Sequence, residues 1–269
     1  MRLALAAVHH ATFGADDDSP AVRELVDYWA ERLDTFGVAV QPQRYLAGNR
    51  NSISAMSMHQ VAHHRASGPL DLVITAHATP DCDPFRSLSG SYTHRYDDGA
   101  LVFAVSDQGR LAPYTALRLA QAYPGRQRAL VIALDQSSVA HDDPGLADLD
   151  TTTDHAIGLL LTPDGTTRLE LLRQLTDLPP DLVGAAVRAE LAGRSVDLVV
   201  AGPAVDRLSG WTVRPAPPDQ LSTAVWSVLA DELAVPASGA RRIAVVDYEP
   251  AQRLLCVAVF AVPAADPKE

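Results

Sequence analysis

The sequence repeats one strand pattern in its two halves. Residues 70–75 read Leu-Asp-Leu-Val-Ile-Thr and residues 196–201 read Val-Asp-Leu-Val-Val-Ala, and both segments run into a loop that contains proline. Apolar runs in the first half have counterparts in the second, namely 130–134 with 243–247 and 157–161 with 254–262. Such runs are typical of strands that are covered on both faces. The repeat therefore predicts an α/β protein whose two similar halves share one core.

The segment from residue 70 to residue 123 has the most informative order of predicted elements. A buried strand at 70–76 is followed by a proline-broken loop and by a second strand at 100–105. The polar turn Ser-Asp-Gln-Gly-Arg at 106–110 then leads into a helix that ends near Tyr123. Many α/β enzymes hold a nucleophile at a turn of this kind, at the N-terminus of the helix. This turn contains no cysteine.

Composition restricts the partners and the compartment. The 269 residues carry a formal charge of −11, which argues against a surface for nucleic acid or for anionic membranes. Two distant cysteines are too few for a disulfide framework. The apolar start is short and ends in His9 and His10, and the longest apolar run, at 254–263, is half of a membrane span. We expect a soluble, cytoplasmic protein.

Three polar clusters could in principle bind a metal, and each has a simpler interpretation. The acids and the Ser-Pro pair at 16–20 favour the start of a helix whose apolar face ends at Phe36 and Gly37. A second helix is predicted at 52–66, where the histidines at 59, 63 and 64 could place two imidazoles on one face. No carboxylate or cysteine lies nearby in the sequence, so a solvated or partly packed face is the simpler interpretation. The acids at 142, 143, 148 and 150 lack the spacing of a calcium loop.

Four segments together resemble the ketosynthase III branch of the thiolase superfamily. They are the strand and loop at 72–84, the strand and helix at 103–106 and 116–120, the strand Asp-His-Ala-Ile-Gly at 154–158, and the strand and loop at 196–204. The resemblance covers nearly the whole chain in the family's order. It implies a thiolase-like fold of two pseudo-symmetric halves layered α-β-α-β-α, divided at 1–162 and 163–269, with a shortened C-terminal half.

The resemblance also implies where catalytic residues should stand. Condensing enzymes of this family carry the acyl group on a cysteine at a helix N-terminus, assisted by a histidine and an asparagine. The cysteine position falls on Gly109 or Arg110, the histidine position on Gly202 and the asparagine position on Leu221. None of these side chains can carry an acyl group or act as a base. The family's glycine-rich final loop is replaced by residues 247–252.

These departures argue against independent condensing activity. By analogy with the shorter, non-catalytic subunit of the heterodimeric alkylquinolone synthase, the resemblance implies a degenerate subunit that pairs with an active, cysteine-bearing ketosynthase. The pairing strand of the family lies near residues 101–105. The expected role is acyl condensation or transfer in specialised-metabolite biosynthesis, with an acyl-carrier protein or acyl-CoA reached through the partner and no cofactor or metal bound to this chain.

Two other interpretations stay open. A stand-alone acyltransferase or hydrolase would need a repurposed nucleophile, for which Ser106 is the candidate beside Asp107, His77 and His155. Otherwise Ser106 and Asp107 simply cap the helix that follows. Cys82 is the other possible nucleophile, but the charges of the acids on both sides of it disfavour the thiolate. The second interpretation is a scaffolding homodimer without acyl chemistry.

Overall fold

Two five-stranded sheets form the framework of the molecule. The computed structural model describes residues 3–16, 22–123, 125–141, 152–206, 208–236 and 239–264. Sheet 1 contains β1 Ala4–Phe13, β2 Leu72–His77, β3 Leu101–Val105, β4 Ala129–Asp135 and β5 Asp154–Thr162. Sheet 2 contains β6 Arg168–Leu175, β7 Leu198–Ala201, β8 Thr212–Pro215, β9 Arg241–Glu249 and β10 Leu254–Val262.

The two sheets have the same topology. The strand order is β1-β5-β4-β2-β3 in sheet 1 and β6-β10-β9-β7-β8 in sheet 2. In sheet 1, β5 is antiparallel to both of its neighbours, β1 and β4, whereas β4, β2 and β3 are parallel to one another. In sheet 2, β10 is antiparallel to β6 and β9, whereas β9, β7 and β8 are parallel. Each strand of sheet 1 therefore corresponds to one strand of sheet 2: β1 to β6, β2 to β7, β3 to β8, β4 to β9 and β5 to β10. The repeat predicted from the sequence is confirmed, whereas the division at residues 162 and 163 stays a prediction.

Seven helices among the described residues complete five layers. They are α1 Val22–Asp34, α2 Pro42–Ala47, α3 Ile53–Arg65, α4 Leu88–Tyr96, α5 Ala112–Ala122, α6 Val183–Leu191 and α7 Ala224–Ala234. Apolar side chains of α3 and α4 pack on the outer face of sheet 1, and those of α6 pack on the outer face of sheet 2. Helices α5 and α7 lie between the sheets. The predicted α-β-α-β-α arrangement is confirmed.

The central layer joins the two halves through one apolar cluster. Trp226 on α7 is fully buried, with its ring 4.9 Å from that of Tyr114 on α5 and 6.4 Å from that of Phe260 on β10. Ile74 of sheet 1 and Val245 of sheet 2 belong to the same cluster. Because burial of apolar surface is the main driving force for folding, the two halves stabilise each other.

Some local predictions differ from the structure. Three short elements, α2, α4 and β8, were not predicted. Phe36 lies beyond the end of α1 and is 79 % exposed, so it does not belong to the buried face of that helix. The acids and cap predicted at 17–20 and the acidic turn at 142–150 lie outside the described residues. None of the described helices combines the length and the apolar character that a membrane span requires.

Candidate functional site

The predicted catalytic positions lie around the N-terminal ends of the two central helices. A 3-10 turn, Gly109–Leu111, leads directly into α5, and Leu221 lies one turn before α7. Gly202 follows the end of β7. Side chains from the ends of β4 and β9 occupy the space beside each of these positions, as the following distances show.

Asp135, the last residue of β4, binds the N-terminal end of α7. Its buried carboxylate accepts hydrogen bonds from the amides of Leu221 at 2.8 Å, Ser222 at 2.8 Å and Thr223 at 3.0 Å, and from the Thr223 hydroxyl. A carboxylate here satisfies helix amides that lack intrahelical partners and complements the helix dipole. The predicted asparagine position, Leu221, therefore contributes its backbone to a structural contact.

Glu249, the last residue of β9, makes the equivalent contact at the start of the turn before α5. Its Oε2 lies 3.4 Å from the Arg110 amide, which donates to it, and 3.8 Å from Arg110 Nε. Gly109 has φ +51°, and a methyl group at this position would lie 2.2 Å from Glu249 Oε2. The carboxylate thus fills the space that a cysteine side chain at Gly109 would need.

Strand register shows that Asp135 and Glu249 are equivalent residues. The first residue of β2 pairs with Ala129, and the first residue of β7 pairs with Ile243. Six residues further along each strand come Asp135 and Glu249. Each half of the chain therefore supplies a carboxylate to the central helix of the other half.

Asp247 fills the predicted histidine position. A methyl group at Gly202 would lie 1.9 Å from Asp247 Oδ1, which also accepts a hydrogen bond from the Tyr248 amide at 2.9 Å. Burial raises the pKa of Asp247 to about 7, although Arg110 and the Tyr248 amide act in the opposite direction. An imidazole on residue 202 could not enter this space unless Asp247 moved.

The candidate residues for a repurposed site come together only in part. Ser106 donates a hydrogen bond to Asp107 Oδ2 at 3.1 Å. His77 Nδ1 lies 2.7 Å from the Thr79 carbonyl and donates to it; burial lowers the pKa of this imidazole, and the charge of Asp107 opposes the shift. His155 is paired with Asp135 in sheet 1, and its Nδ1 lies 3.2 Å from Nε2 of His10. No hydrogen bond links Ser106 to an imidazole within the described part of the chain.

The predicted capping role of Ser106 and Asp107 is wrong. The N-cap of the 3-10 turn is Gln108. Neither this N-cap residue nor that of α5 makes a side-chain capping hydrogen bond. Asp107 has φ +62°, a left-handed conformation that Asp tolerates better than most residues. Glu249, distant in sequence, takes the place of the local cap at Arg110.

Both cysteines are buried. Burial, and after it the charge of Asp81, raises the pKa of Cys82 far above its usual range. The Cys82 amide donates to Gln136 Oε1 at 3.1 Å and its carbonyl accepts from the Tyr45 hydroxyl at 2.9 Å, which fixes it as part of the packing. Cys256 belongs to the central apolar cluster. Neither thiol has the environment of a nucleophile.

The histidines of α3 form a packed cluster with β1. The ring of His63 stacks on that of His9 with centroids 3.6 Å apart, and His64 is 2 % exposed. Burial and the neighbouring imidazoles lower the pKa of His64 to about 4. The partly packed face predicted for these residues is confirmed. Among the described residues, no three side chains of ligand type are arranged to hold a metal ion.

Known structures share the fold over almost the whole chain. The protein resembles AbyA1, described as a tetronic acid condensing enzyme, with TM-score 0.65 and 14 % identity over 96 % of this chain and 99 % of that chain. It resembles the acyltransferase ChlB3 with TM-score 0.61 and 15 % identity over the full length of both. Cerulenin-bound OleA of Xanthomonas campestris matches with TM-score 0.61 and 15 % identity over 97 % of this chain and 99 % of that chain.

Comparison by sequence gives no further assignment, since no protein-family model and no curated protein matches the chain. At identities near 15 % the structural likeness defines the fold alone. The architecture, with its duplicated sheets and its two central helices, is a thiolase-like fold.

Proposed function

We propose that this chain is a non-catalytic ketosynthase III-like subunit that pairs with an active, cysteine-bearing ketosynthase. The pair would carry out acyl condensation or transfer in specialised-metabolite biosynthesis. One observation carries the proposal: carboxylates fill the space beside the degenerate cysteine and histidine positions, and a third binds the backbone at the asparagine position. The site then has no thiol to hold an acyl group, and the substrate chemistry falls to the partner.

The edge strand β3 supports the pairing. β3 has β2 on one side and no strand on the other among the described residues, and its sequence Leu-Val-Phe-Ala-Val contains neither charge nor proline. The equivalent edge strand β8 contains Arg214 and Pro215, two residue types that block pairing at an edge. Of these two equivalent edges, only β3 is suited to continue its sheet into a second subunit.

The loop beside β3 supports the same surface. A pocket of about 200 Å³ opens next to the strand and is lined by His77, Arg86 and Phe103, among others. Phe85, in the same loop, is 66 % exposed. Its ring lies 5.2 Å from that of Tyr28 on α1, and exposed aromatic rings are enriched at protein interfaces.

Co-expression with a ketosynthase from the same gene neighbourhood tests the proposal. We expect a complex that contains both chains, and condensing activity that depends on this chain. The Leu101 amide donates to the Asp71 carbonyl of the neighbouring segment, so the Ala104 amide points away from the sheet. Ala104→Pro should therefore abolish the complex without breaking sheet 1.

Val213→Pro on β8 is the matched control and should leave the complex intact. A chain that remains a homodimer and does not alter the activity of the ketosynthase would contradict the proposal. Such a result would favour a scaffolding homodimer.

The contact between Ser106 and Asp107 favours one alternative, a stand-alone acyltransferase or hydrolase. Incubation with acyl-carrier thioesters followed by intact-mass measurement distinguishes it. An acyl adduct that disappears in Ser106→Ala would support this alternative and exclude a purely non-catalytic role.

A further inference from the structure

A groove of about 420 Å³ lies between the C-terminal half of α5 and β6, the edge strand of sheet 2. Its volume is within the range of small-molecule sites. Arg118, Arg173 and Arg194 line it together with the apolar side chains of Ala122 and Leu169. None of these residues belongs to the carboxylate-filled site, so the groove is independent of the function proposed above.

The groove is cationic although the chain is strongly acidic. Arg118 and Arg194 make no hydrogen bond or ion pair through their side chains with any described residue. The Arg173 side chain is 63 % exposed, and its Nε lies 3.9 Å from Glu190 Oε2. An exposed ion pair of this kind is weak. The acid in the lining, Glu170, already binds Arg242 through Nε at 2.8 Å and Nη2 at 3.3 Å. Positive charge in the groove therefore exceeds negative charge.

A narrower pocket adjoins the groove. This pocket of about 230 Å³ shares Arg118 and Arg173 with the groove and is also lined by Tyr114 and Gln174. The two arginines therefore border both spaces.

Protection of a sheet edge accounts for only one of these residues. Charged side chains on an edge strand prevent pairing with other chains, and this explains Arg173 on β6. It does not explain Arg118 on α5 or Arg194 after α6. Their convergence on one concave surface requires another reason.

We propose that this groove binds a small organic anion with a phosphate or carboxylate head and a short apolar tail. Arg118 and Arg173 hold the head, and Arg194 adds to the positive field. The tail lies along Ala122 and Leu169. Guanidinium groups suit such a head because they form charge-assisted hydrogen bonds with carboxylate and phosphate oxygens.

Calorimetric titration of the whole chain tests this proposal with four probes. Octyl phosphate and octanoate should bind with one site per chain, and the tighter of the two identifies the head group. Octan-1-ol and inorganic phosphate should each bind at least about tenfold more weakly, because each lacks one of the two parts that the groove recognises. Equal binding of octan-1-ol or of inorganic phosphate would overturn the assignment.

Variants locate the site. Arg118→Gln should weaken octyl phosphate binding about tenfold. Arg23→Gln removes the same charge from an exposed position on α1, which does not line the groove, and should change nothing. Unchanged affinity in the Arg118→Gln/Arg173→Gln double variant, with its unfolding transition intact, would refute the site.

Discussion

At the scale of single residues, carboxylates take the space beside two glycines that stand at predicted catalytic positions. Asp247 lies against Gly202, and Glu249 lies against Gly109. A side chain at either glycine would overlap a carboxylate oxygen unless that carboxylate moved. The absence of a side chain at these positions is therefore part of the packing of this protein.

Gly202→Ala tests that packing directly. The added methyl group would meet Asp247 Oδ1 at 1.9 Å, and overpacking of this kind costs about 1–3 kcal/mol. Gly239→Ala is the matched control, because a methyl group there meets nothing within 4 Å. Urea unfolding of both variants measures the difference. Equal free energies of unfolding would show that Asp247 moves aside without cost.

The pH dependence of stability tests the state of Asp247. The group titrates near 3.8 when exposed and near 7 when buried, so the folded chain binds the extra proton between these values. The contribution of this group to the free energy of unfolding therefore falls as pH rises from about 4 to about 7. Asp247→Asn removes this contribution. We expect the variant to gain stability relative to the natural chain between pH 5 and pH 8.

Thermal unfolding at the two pH values measures this gain. A variant that loses stability at pH 8 would show that attraction between Asp247 and Arg110 outweighs the cost of burial.

Only part of this site was predictable from the sequence. The positions Gly109, Gly202 and Leu221 follow from the order of the repeated strands, and the structure brings them to the ends of the central helices. The roles of Asp135 and Glu249 were missed because each acid contacts backbone about ninety residues or more away. One signal was present: both acids end equivalent strands of the repeat.

At the scale of elements, the central helices depend on caps from distant parts of the chain. α7 begins without a local side-chain cap, and Asp135 instead binds the amides of the three residues that lead into the helix. By contrast, α4 has a local cap, since Ser87 accepts a hydrogen bond from the Gly90 amide at 3.1 Å. The long strands were predictable because their apolar runs are covered on both faces, whereas α4 and β8 are short and partly exposed.

Asp135→Ala should therefore destabilise the protein more than Ser87→Ala. Loss of an ordinary cap costs about 1 kcal/mol. Removal of Asp135 leaves several buried donors without an acceptor, at about 1–3 kcal/mol each before water enters. Chemical denaturation of the two variants gives the comparison. Equal losses would mean that the α7 end relaxes to reach solvent.

At the scale of the whole molecule, the two sheets share one core and two reciprocal caps. α5 and α7 belong to the apolar cluster that contains residues of both sheets. We expect a single unfolding transition in calorimetry, and we expect a fragment of residues 1–162 to remain unfolded because α5 would lose its packing partners and Glu249. A fragment with cooperative unfolding of its own would contradict this expectation.

The reciprocal carboxylates also constrain how this protein can change over time. Asp135 and Glu249 each serve a helix that is encoded in the other half of the gene. If recombination replaced one half alone, the new half would need to supply both a helix end that fits the retained acid and an acid that fits the retained helix end. The two halves must therefore be inherited and altered together, although their shared topology indicates that they began as copies of one unit.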